Sequence, residues 1–469
     1  MIPKIANRIE FWIVLFFLVR LIGITNPPIE PGHSWRQVTG LMVARNYLEV
    51  DANIIYPRVD DNKGETGIIG MEFPVMNYLY FSISKVFGYT HWYGRLINLI
   101  ISSLGLLYFY KLIVQLKFSC RTAFLSTIIL AGSIWFCFSR KMMPDTFCIS
   151  LMFIGLYYGI MYLQKQKVIN LMLYIVISSV AILSKIPAGI YILCLVPLFF
   201  GERYNPKAWV FLGLATLIPI VLAYNWYFIW NPKLAIEYGN WYNIGKPIRE
   251  GILETGENID KVFRNFYFHA FSGYSAFLFF IIGLFVMFFK KEKKLIVGFF
   301  VLFSIFVVYI LKSGFFFYHH NYYIIPFVPV MALIAGYACS FIKPKWLYVS
   351  LLVVFAGEGI ANQQHDFFVN KSEVYKLKLE NIADSISQKN DLILINGNEN
   401  PQLIYLAHRK GWTCTDMQLL EDEYIHTVSM KGCKYIFVNK HTQLTALGEQ
   451  KIFEDEDFAV YETKTSIGL

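Results

Sequence analysis

The residues that could do chemistry in this chain gather in a few short polar segments beside long apolar runs. They lie at residues 30–37 (EPGHSWRQ), at Glu72 before Phe73 and Pro74, at residues 139–147 (SRKMMPDTF), at 183–189 (LSKIPAG) and at 319–329 (HHNYYIIPFVP). Ionisable groups at or near membrane depth cost free energy, so they are functional candidates by default.

These residue types fit the transfer of a group from a lipid phosphate. A carboxylate is needed as general base to activate an acceptor hydroxyl, and Glu30, Glu72 and Asp145 are the candidates. Arginine or lysine is needed to offset charge growing on the phosphate. Arg36, Arg140 and Lys185 supply it.

Simpler roles stay open for the same residues. Glu30 could be a solvated loop acid, and Glu72 and Asp145 could be acids that favour the start of a helix. Arg140 and Lys185 could extend from a span toward the interface. His320 could be an interfacial hydrogen-bonding group.

Composition defines the setting in which these residues act. The chain has 469 residues, of which 56% are hydrophobic, 18% aromatic and 16% charged. A soluble domain carries about 25% charged residues, so the sequence predicts an integral membrane protein. The net charge of +9 is scattered among short loops. This pattern is typical of orientation signals and not of a nucleic-acid-binding face.

The apolar runs predict about 11 membrane spans, since about 20 apolar residues cross a bilayer as a helix. The predicted spans are residues 11–25, 95–113, 121–138, 146–163, 168–184, 187–201, 208–230, 272–289, 295–311, 321–341 and 345–361. Lysine and arginine are concentrated in alternate loops, which predicts a cytoplasmic N-terminus and an extracytoplasmic C-terminal region. The charged residues are interpreted as lying at the outer ends of otherwise clean spans.

Residues 74–88 are apolar enough to be taken for a further span, but counting them would invert every later loop. Met76, Leu79 and Tyr80 belong to an apolar series with helical spacing, whereas Asn77 and Ser84 fall on another face. This pattern predicts an amphipathic helix lying in the interface. Residues 26–93 are therefore predicted to form one large first outer loop.

The sequence after the last span reads as a soluble domain. Residues 1–361 are predicted to form the membrane domain, and residues 362–469 a small extracytoplasmic α/β domain in which helices alternate with strands at 391–396, 434–438 and 458–461. Cys414 and Cys433 lie in this region, and the sequence leaves open whether they pair.

Taken in order, the polar segments resemble the GT-C glycosyltransferases, nearest the bacterial branch that includes protein O-mannosyltransferase-like enzymes and lipid A aminoarabinose transferases. The matching segments are residues 27–49, 67–88, 91–100, 139–147, 183–189 and 319–329. The resemblance implies a polyprenyl- or dolichyl-phosphate sugar donor and an inverting transfer on the outer face. It covers most of the membrane portion, whereas the C-terminal domain matches only loosely.

The resemblance also implies roles for single residues. It places a catalytic acid in the first loop, which carries to Glu30, although family members usually show an acidic pair there. Glu72 matches a glutamate that relatives place before a proline, so the base stays open between Glu30 and Glu72. Asp145 matches the acid of a second active turn. The phosphate contacts fall to Arg36, Arg140 or Lys185, and we expect substrate contacts from His33, His320, Tyr322 and Tyr323.

Metal dependence is undecided at this stage. Relatives may bind a metal near the position of Glu72, but the basic residue that follows their glutamate is Phe73 here. No cofactor is required by the sequence, and a divalent metal stays an open alternative.

The predicted partners are a polyprenyl-phosphate-linked sugar, an acceptor protein, lipid or glycan, and membrane lipid, with no nucleic acid. The predicted location is the plasma (inner) membrane. Two other functions compete with sugar transfer. A transporter or flippase of lipid-linked saccharide predicts charges inside the spans and a repeat of broken helices. An envelope scaffold leaves the polar cluster around Glu30 without a task.

Overall fold

A computed structural model describes residues 7–196, 204–239, 245–442 and 447–463. The chain divides into two compact units. The first unit comprises residues 1–24, 94–230 and 243–367, and the second comprises residues 25–93, 231–242 and 368–469.

Helices make up most of the chain before residue 368. In chain order they are α1 (Ile9–Arg20), α2 (Ser34–Glu49), α3 (Val75–Phe87), α4 (Tyr93–Gln115), α5 (Cys120–Gly132), α6 (Trp135–Phe138), α7 (Pro144–Lys165), α8 (Val168–Ser184), α9 (Pro206–Tyr224), α10 (Asn231–Glu237), α11 (Ile248–Glu257), α12 (Ile259–Arg264), α13 (Ser275–Phe289), α14 (Lys293–Ser313), α15 (Phe315–His319), α16 (Val328–Cys339) and α17 (Lys345–Gln363). A 3₁₀ segment, Ile186–Leu195, follows α8.

Several of these helices suit a bilayer. Within the described residues, four are long and apolar enough to cross one: Tyr93–Gln115, Pro144–Lys165, Pro206–Glu237 and Lys293–Ser313. Shorter apolar helices are Cys120–Gly132, Val168–Ser184, Ile186–Leu195, Ser275–Phe289 and Val328–Cys339. Each predicted span overlaps a helical segment, and residues 197–201 of one span lie outside the described residues. The total of about 11 spans and their orientation stay predictions.

Small residues set the distance between helices in the first unit. A Cβ added to Gly105 in α4 would meet Ser150 Oγ of α7 at 2.2 Å, and one added to Gly336 in α16 would meet Ser126 Oγ of α5 at the same 2.2 Å. Such contacts leave no room for a larger side chain. Association in lipid depends on this close backbone packing because burial from water does not drive it there.

Helix α3 confirms the helix predicted between residues 74 and 88, but its buried face differs from the predicted one. Asn77 and Ser84, assigned to the polar face, are buried, and Asn77 Nδ2 donates to Gly40 O of α2 at 2.7 Å. Leu79 and Phe87 are exposed. The buried face of α3 is therefore mixed, and its amide is satisfied by a backbone carbonyl of α2.

The C-terminal part of the second unit is a mixed sheet with helices, as the alternating pattern predicted. After α18 (Leu379–Ile386) come β1 (Leu392–Ile395), α19 (Gln402–Leu406), β2 (Lys410–Thr413), α20 (Asp416–Leu419), α21 (Asp422–Met430), β3 (Cys433–Asn439), β4 (Gln450–Glu454) and β5 (Phe458–Glu462). The strand order is β2-β1-β3-β5-β4. Strands β1, β2 and β3 run parallel, and β5 pairs antiparallel with β3 and β4.

The structure adds two strands that the sequence did not predict, and it shows the state of the two cysteines. Strands β2 and β4 were not predicted, and both border the sheet. Cys414 and Cys433 are free and buried in the hydrophobic core of this domain. Burial raises the pKa of the Cys433 thiol to about 12, so both cysteines act as small apolar side chains.

The first loop and the C-terminal residues form one compact unit through buried polar contacts. Arg45 in α2 donates to Tyr405 O at 3.1 Å and lies over the Tyr405 ring at 4.3 Å. Gln402 Nε2 donates to Pro28 O at 3.0 Å. These contacts fix the backbone beside Glu30. The predicted boundary between residues 361 and 362 stays a prediction.

Candidate active site

The turn at residues 139–143 is held by one amide in the first unit. Asn98 of α4 donates through Nδ2 to the carbonyls of Phe138, Lys141 and Met143 at 3.0, 2.8 and 3.1 Å. Asn98 is fully buried. A single amide with several carbonyl partners fixes the backbone between α6 and α7, and it thereby fixes the start of α7.

Asp145 stands in the first turn of α7, after Pro144. Proline suits the first helical position and an acid suits the positive end of the helix dipole. Its side chain is buried, and Oδ1 accepts from Lys185 Nζ at 2.5 Å. Asp145 Oδ2 is buried without a hydrogen-bond partner among the described residues. Such an atom is costly unless something else pairs with it.

Lys185 lies between α8 and the 3₁₀ segment, where Pro187 ends the regular helix. Its side chain is 13% exposed. The ammonium lies 5.1 Å from the ring centre of Tyr322 and 5.8 Å from that of Tyr323. These distances allow cation–π attraction. Lys185 therefore has an acid on one side, two aromatic rings on another and some access to solvent.

His320 completes this cluster. Its ring stacks on Tyr322 with centroids 5.3 Å apart. Burial, together with the neighbouring His319 and Lys185, lowers the pKa of His320 to about 4. At neutral pH the imidazole is therefore uncharged, so it is suited to hydrogen bonding and stacking and does not add a cation.

Arg140 and Lys141 are both buried beside the segment that follows α17. Arg140 donates to Ile22 O at 2.7 Å, and its guanidinium lies 4.2 Å from the centre of the Phe367 ring. Lys141 Nζ lies 3.2 Å from Asp366 Oδ2. The segment after α17 thus supports the turn, a role that its sequence does not suggest.

Arg20 is a buried charged residue that the sequence analysis did not identify as a candidate. It lies inside the predicted span at residues 11–25, it is fully buried, and it donates to Ser139 Oγ at 2.5 Å and Ser103 Oγ at 3.4 Å. The reading of clean spans was wrong here. An arginine within an otherwise apolar run was the available signal.

The second unit holds the other predicted residues. Glu30 is buried and its Oε1 lies 3.5 Å from Asn26 Nδ2. His33 precedes α2 with a φ of 59°, a conformation that few non-glycine residues adopt. Arg36 in the first turn of α2 forms an ion pair of 2.5 Å with Glu72. The structure therefore joins Arg36 to Glu72 across 36 residues of sequence.

The donor set around Glu72 does not fit a metal ion. Within the residues that the structure describes, no three histidine, cysteine, aspartate or glutamate side chains come together as ligands. Glu72 also has the Arg36 cation at 2.5 Å, which already offsets the charge of its carboxylate.

The predicted residues thus form two groups. Asp145, Lys185, His320, Tyr322 and Tyr323 come together in the first unit. Arg36 and Glu72 come together in the second unit, which also contains Glu30 and His33.

The helical first unit and the α/β part of the second define a multi-pass membrane protein with the GT-C glycosyltransferase fold, as the sequence motifs predicted. Residues 72–228 match the family model described as dolichyl-phosphate-mannose-protein mannosyltransferase. No curated protein sequence is similar enough to the chain to count as a match.

Solved structures extend the likeness to the whole chain. ArnT from Cupriavidus metallidurans in the apo state is similar with a TM-score of 0.58 and 13% identity, over 97% of this chain and 98% of ArnT. The same protein bound to undecaprenyl phosphate gives 0.58 and 12%, over the same shares of 97% and 98%. An Archaeoglobus fulgidus oligosaccharyltransferase in complex with zinc and sulfate gives 0.55 and 13%, over 92% of this chain and 68% of that one.

Proposed function

We propose that this protein transfers a sugar, with inversion, from a polyprenyl-phosphate donor to an extracytoplasmic acceptor at the plasma membrane. The observation that carries the proposal is the buried Asp145–Lys185 pair, present in a chain with the GT-C fold. The match to a mannosyltransferase model and the likeness to a protein solved with undecaprenyl phosphate support the donor class.

Lys185 is the proposed contact to the donor phosphate. Its partial exposure lets an anion reach the ammonium, and a phosphate oxygen is a strong acceptor for such a donor. The phosphate competes with Asp145 for Lys185, and Asp145 keeps the lysine charged and oriented while the site is empty. Tyr322, Tyr323 and His320 offer flat faces and polar edges for the sugar.

Glu30 is the proposed general base, because Glu72 is held by Arg36. Its carboxylate takes the proton from the acceptor hydroxyl, and the acceptor oxygen bonds to the anomeric carbon from the face opposite the phosphate. The bond from that carbon to the phosphate oxygen breaks, and its electron pair leaves on the polyprenyl phosphate. Cationic side chains offset that charge. Arg36 and Glu72 position the first turn of α2, and Arg140 remains a proposed second phosphate contact.

The test is sugar transfer by purified protein in lipid, with labelled polyprenyl-phosphate hexoses and pentoses and a cell-envelope extract. Label should move from lipid to acceptor, and Glu30→Gln should slow it by about 10²–10⁴-fold, the usual contribution of general base catalysis. Glu65→Gln, an exposed acid of the same loop, is the control and should keep full activity.

Two outcomes would overturn this proposal. Label that stays on the lipid but crosses the bilayer would favour a transporter. Full activity in Glu30→Gln would remove Glu30 as the proposed base.

A further inference from the structure

A large cavity lies between α1, α5 and α17 of the first unit, apart from the residues assigned to sugar transfer. Its volume is about 590 Å³, which is within the range of about 300–1,000 Å³ that small-molecule sites occupy. Its wall is mainly aliphatic and aromatic, and includes Phe16, Ile128, Leu352, Val353 and Ile360.

The cavity has the length of a lipid tail. Lys345 and Ile360 both line it and both belong to α17. At a rise of about 1.5 Å per residue, they are about 22 Å apart along the helix. The cavity is therefore long and narrow, a shape that fits one extended acyl chain.

One end of the cavity is cationic. Arg121, in the first turn of α5, and Lys345, the first residue of α17, line it there together with Asn7. Among the described lining residues there is no aspartate or glutamate. An apolar cavity with a basic end, called the mouth below, is complementary to an anionic lipid.

Two contacts orient the Arg121 side chain at this mouth. Its guanidinium carbon lies 4.4 Å from the centre of the Tyr348 ring, and it donates to Ile342 O. Its Nε is buried without a hydrogen-bond partner among the described residues. A phosphate oxygen would satisfy that donor, and the neighbouring Lys345 is exposed to add a second contact.

We propose that this cavity binds one acyl chain of an anionic glycerophospholipid, with its phosphate at Arg121 and Lys345. The basic mouth lies at the start of α5, whereas α6 and the turn before Asp145 follow the other end of α5. The loop charges predict that the mouth faces the cytoplasm. The occupant is therefore a lipid of the inner leaflet and not the sugar donor, whose phosphate is assigned to Lys185.

The bound chain packs α1 and α17 against α5. Its far end meets Phe136 and Ile360, and Phe136 lies in α6, directly before the turn that carries Arg140. An occupied cavity therefore supports that turn, and we expect the lipid to raise thermal stability.

The test uses native mass spectrometry of delipidated full-length protein with phosphatidylglycerol, phosphatidylcholine or undecaprenyl phosphate. Gly357 lines the cavity, and a Cβ added to it meets nothing within 4 Å. Gly357→Leu should therefore add a bulky side chain to the cavity wall, with no clash at its Cβ. Gly213→Leu is the matched control, because Gly213 is also helical with nothing within 4 Å, but is not in the cavity lining.

We expect one phosphatidylglycerol to remain bound, to bind at least tenfold more tightly than phosphatidylcholine, and to raise the Tm. Gly357→Leu should abolish this binding, and Arg121→Gln should weaken it about tenfold, whereas Gly213→Leu and the loop variant Lys167→Gln should not change it. Equal binding by Gly357→Leu, equal affinity for both phospholipids, or preferential capture of undecaprenyl phosphate would each overturn the proposal. None of these results depends on sugar transfer.

Discussion

Two buried ion pairs of this protein differ in how completely their carboxylates are satisfied. Asp60 accepts from Arg45 at 2.6 Å through Oδ2 and from Asn46 at 2.9 Å through Oδ1. Asp145 accepts from Lys185 at 2.5 Å through Oδ1, whereas its Oδ2 has no hydrogen-bond partner among the described residues. The first pair uses both oxygens within the fold.

This difference separates a structural pair from one that is available for ligand binding. Removing one partner of a fully enclosed pair leaves a buried charge, whose cost falls on folding. A pair that has an unsatisfied carboxylate oxygen and a partly exposed lysine can exchange partners when an anion binds. Burial and charge alone would not distinguish the structural pair from the pair that is available for ligand binding.

The largest effect on stability is expected at the Arg45–Asp60 pair, where both carboxylate oxygens accept hydrogen bonds. Arg45→Met should lower the free energy of unfolding by about 3–5 kcal/mol, because Asp60 stays buried without its cation. Chemical denaturation in detergent measures this. Arg58→Met is the control: its partner Asp51 is 43% exposed, so its loss should cost less than about 1 kcal/mol. Equal losses in both variants would show that the buried Arg45–Asp60 pair stabilises the fold no more than an exposed pair does.

The stability of the protein should depend less on the Asp145–Lys185 pair. Asp145→Asn keeps the size of the side chain and removes its charge, so it should cost about 1.5–3 kcal/mol for a hydrogen bond to a charged group. Lys185 retains access to water. The double variant Asp145→Asn/Lys185→Met should regain most of this loss but should transfer no sugar. An active double variant would show that the pair is structural only.

A smaller effect is expected where the C-terminal residues hold the loop of Glu30. Gln402→Glu keeps the acceptor for Lys376 Nζ at 2.9 Å but removes the donor to Pro28 O. The loss should be about 0.5–1.5 kcal/mol, with a lower kcat. Gln418→Glu is the matched control, because the oxygen of Gln418 caps Thr415 N at 2.9 Å and glutamate keeps that oxygen. An unchanged kcat in Gln402→Glu would remove the positioning role.

The smallest effect concerns pH. His408 lies 2.6 Å from Glu380 and 2.8 Å from Glu49, and hydrogen bonds to Glu380 and then Glu49 raise its pKa above the ordinary value of 6.5. The same hydrogen bond lowers the pKa of Glu380 to about 2. The stabilisation by His408 is therefore complete below about pH 6.5 and is lost as pH rises through its raised pKa.

The Tm should accordingly fall as pH rises from about 6 to 9, and His408→Gln should remove that part of the slope. Glu380 adds stability above its ordinary value of 4.5, which is lost as pH falls toward 2. Identical slopes for the wild type and His408→Gln would exclude the histidine as the cause.

The sequence predicted the elements whose local pattern is strong. The apolar run at 95–113 became α4, Tyr93–Gln115, and the short apolar run within 391–396 became β1. Strand β2 (KGWT) and strand β4 (QKIFE) lack a clear alternating pattern, so the sheet, not local sequence, determines them.

The types of the candidate site residues could be read from the sequence, but the sequence did not predict which residues pair with each other. The Lys185–Asp145 and Arg36–Glu72 pairs join distant segments, and nothing local specifies which cation meets which acid. Asn77 illustrates the same limit, since its burial depends on one carbonyl of α2. Arg20 was missed because its apolar neighbours outweighed a single charge in the hydropathy pattern.

Equilibrium binding of polyprenyl phosphate to the purified protein tests the role of Lys185 without requiring turnover. Lys185→Met should weaken binding by at least about tenfold, which corresponds to about 1.4 kcal/mol. Asp145→Asn should bind as tightly as the wild type or more tightly, because Lys185 loses its competing partner. Unchanged binding in Lys185→Met, or a loss in Asp145→Asn as large as that in Lys185→Met, would contradict the assignment of Lys185 to the donor phosphate.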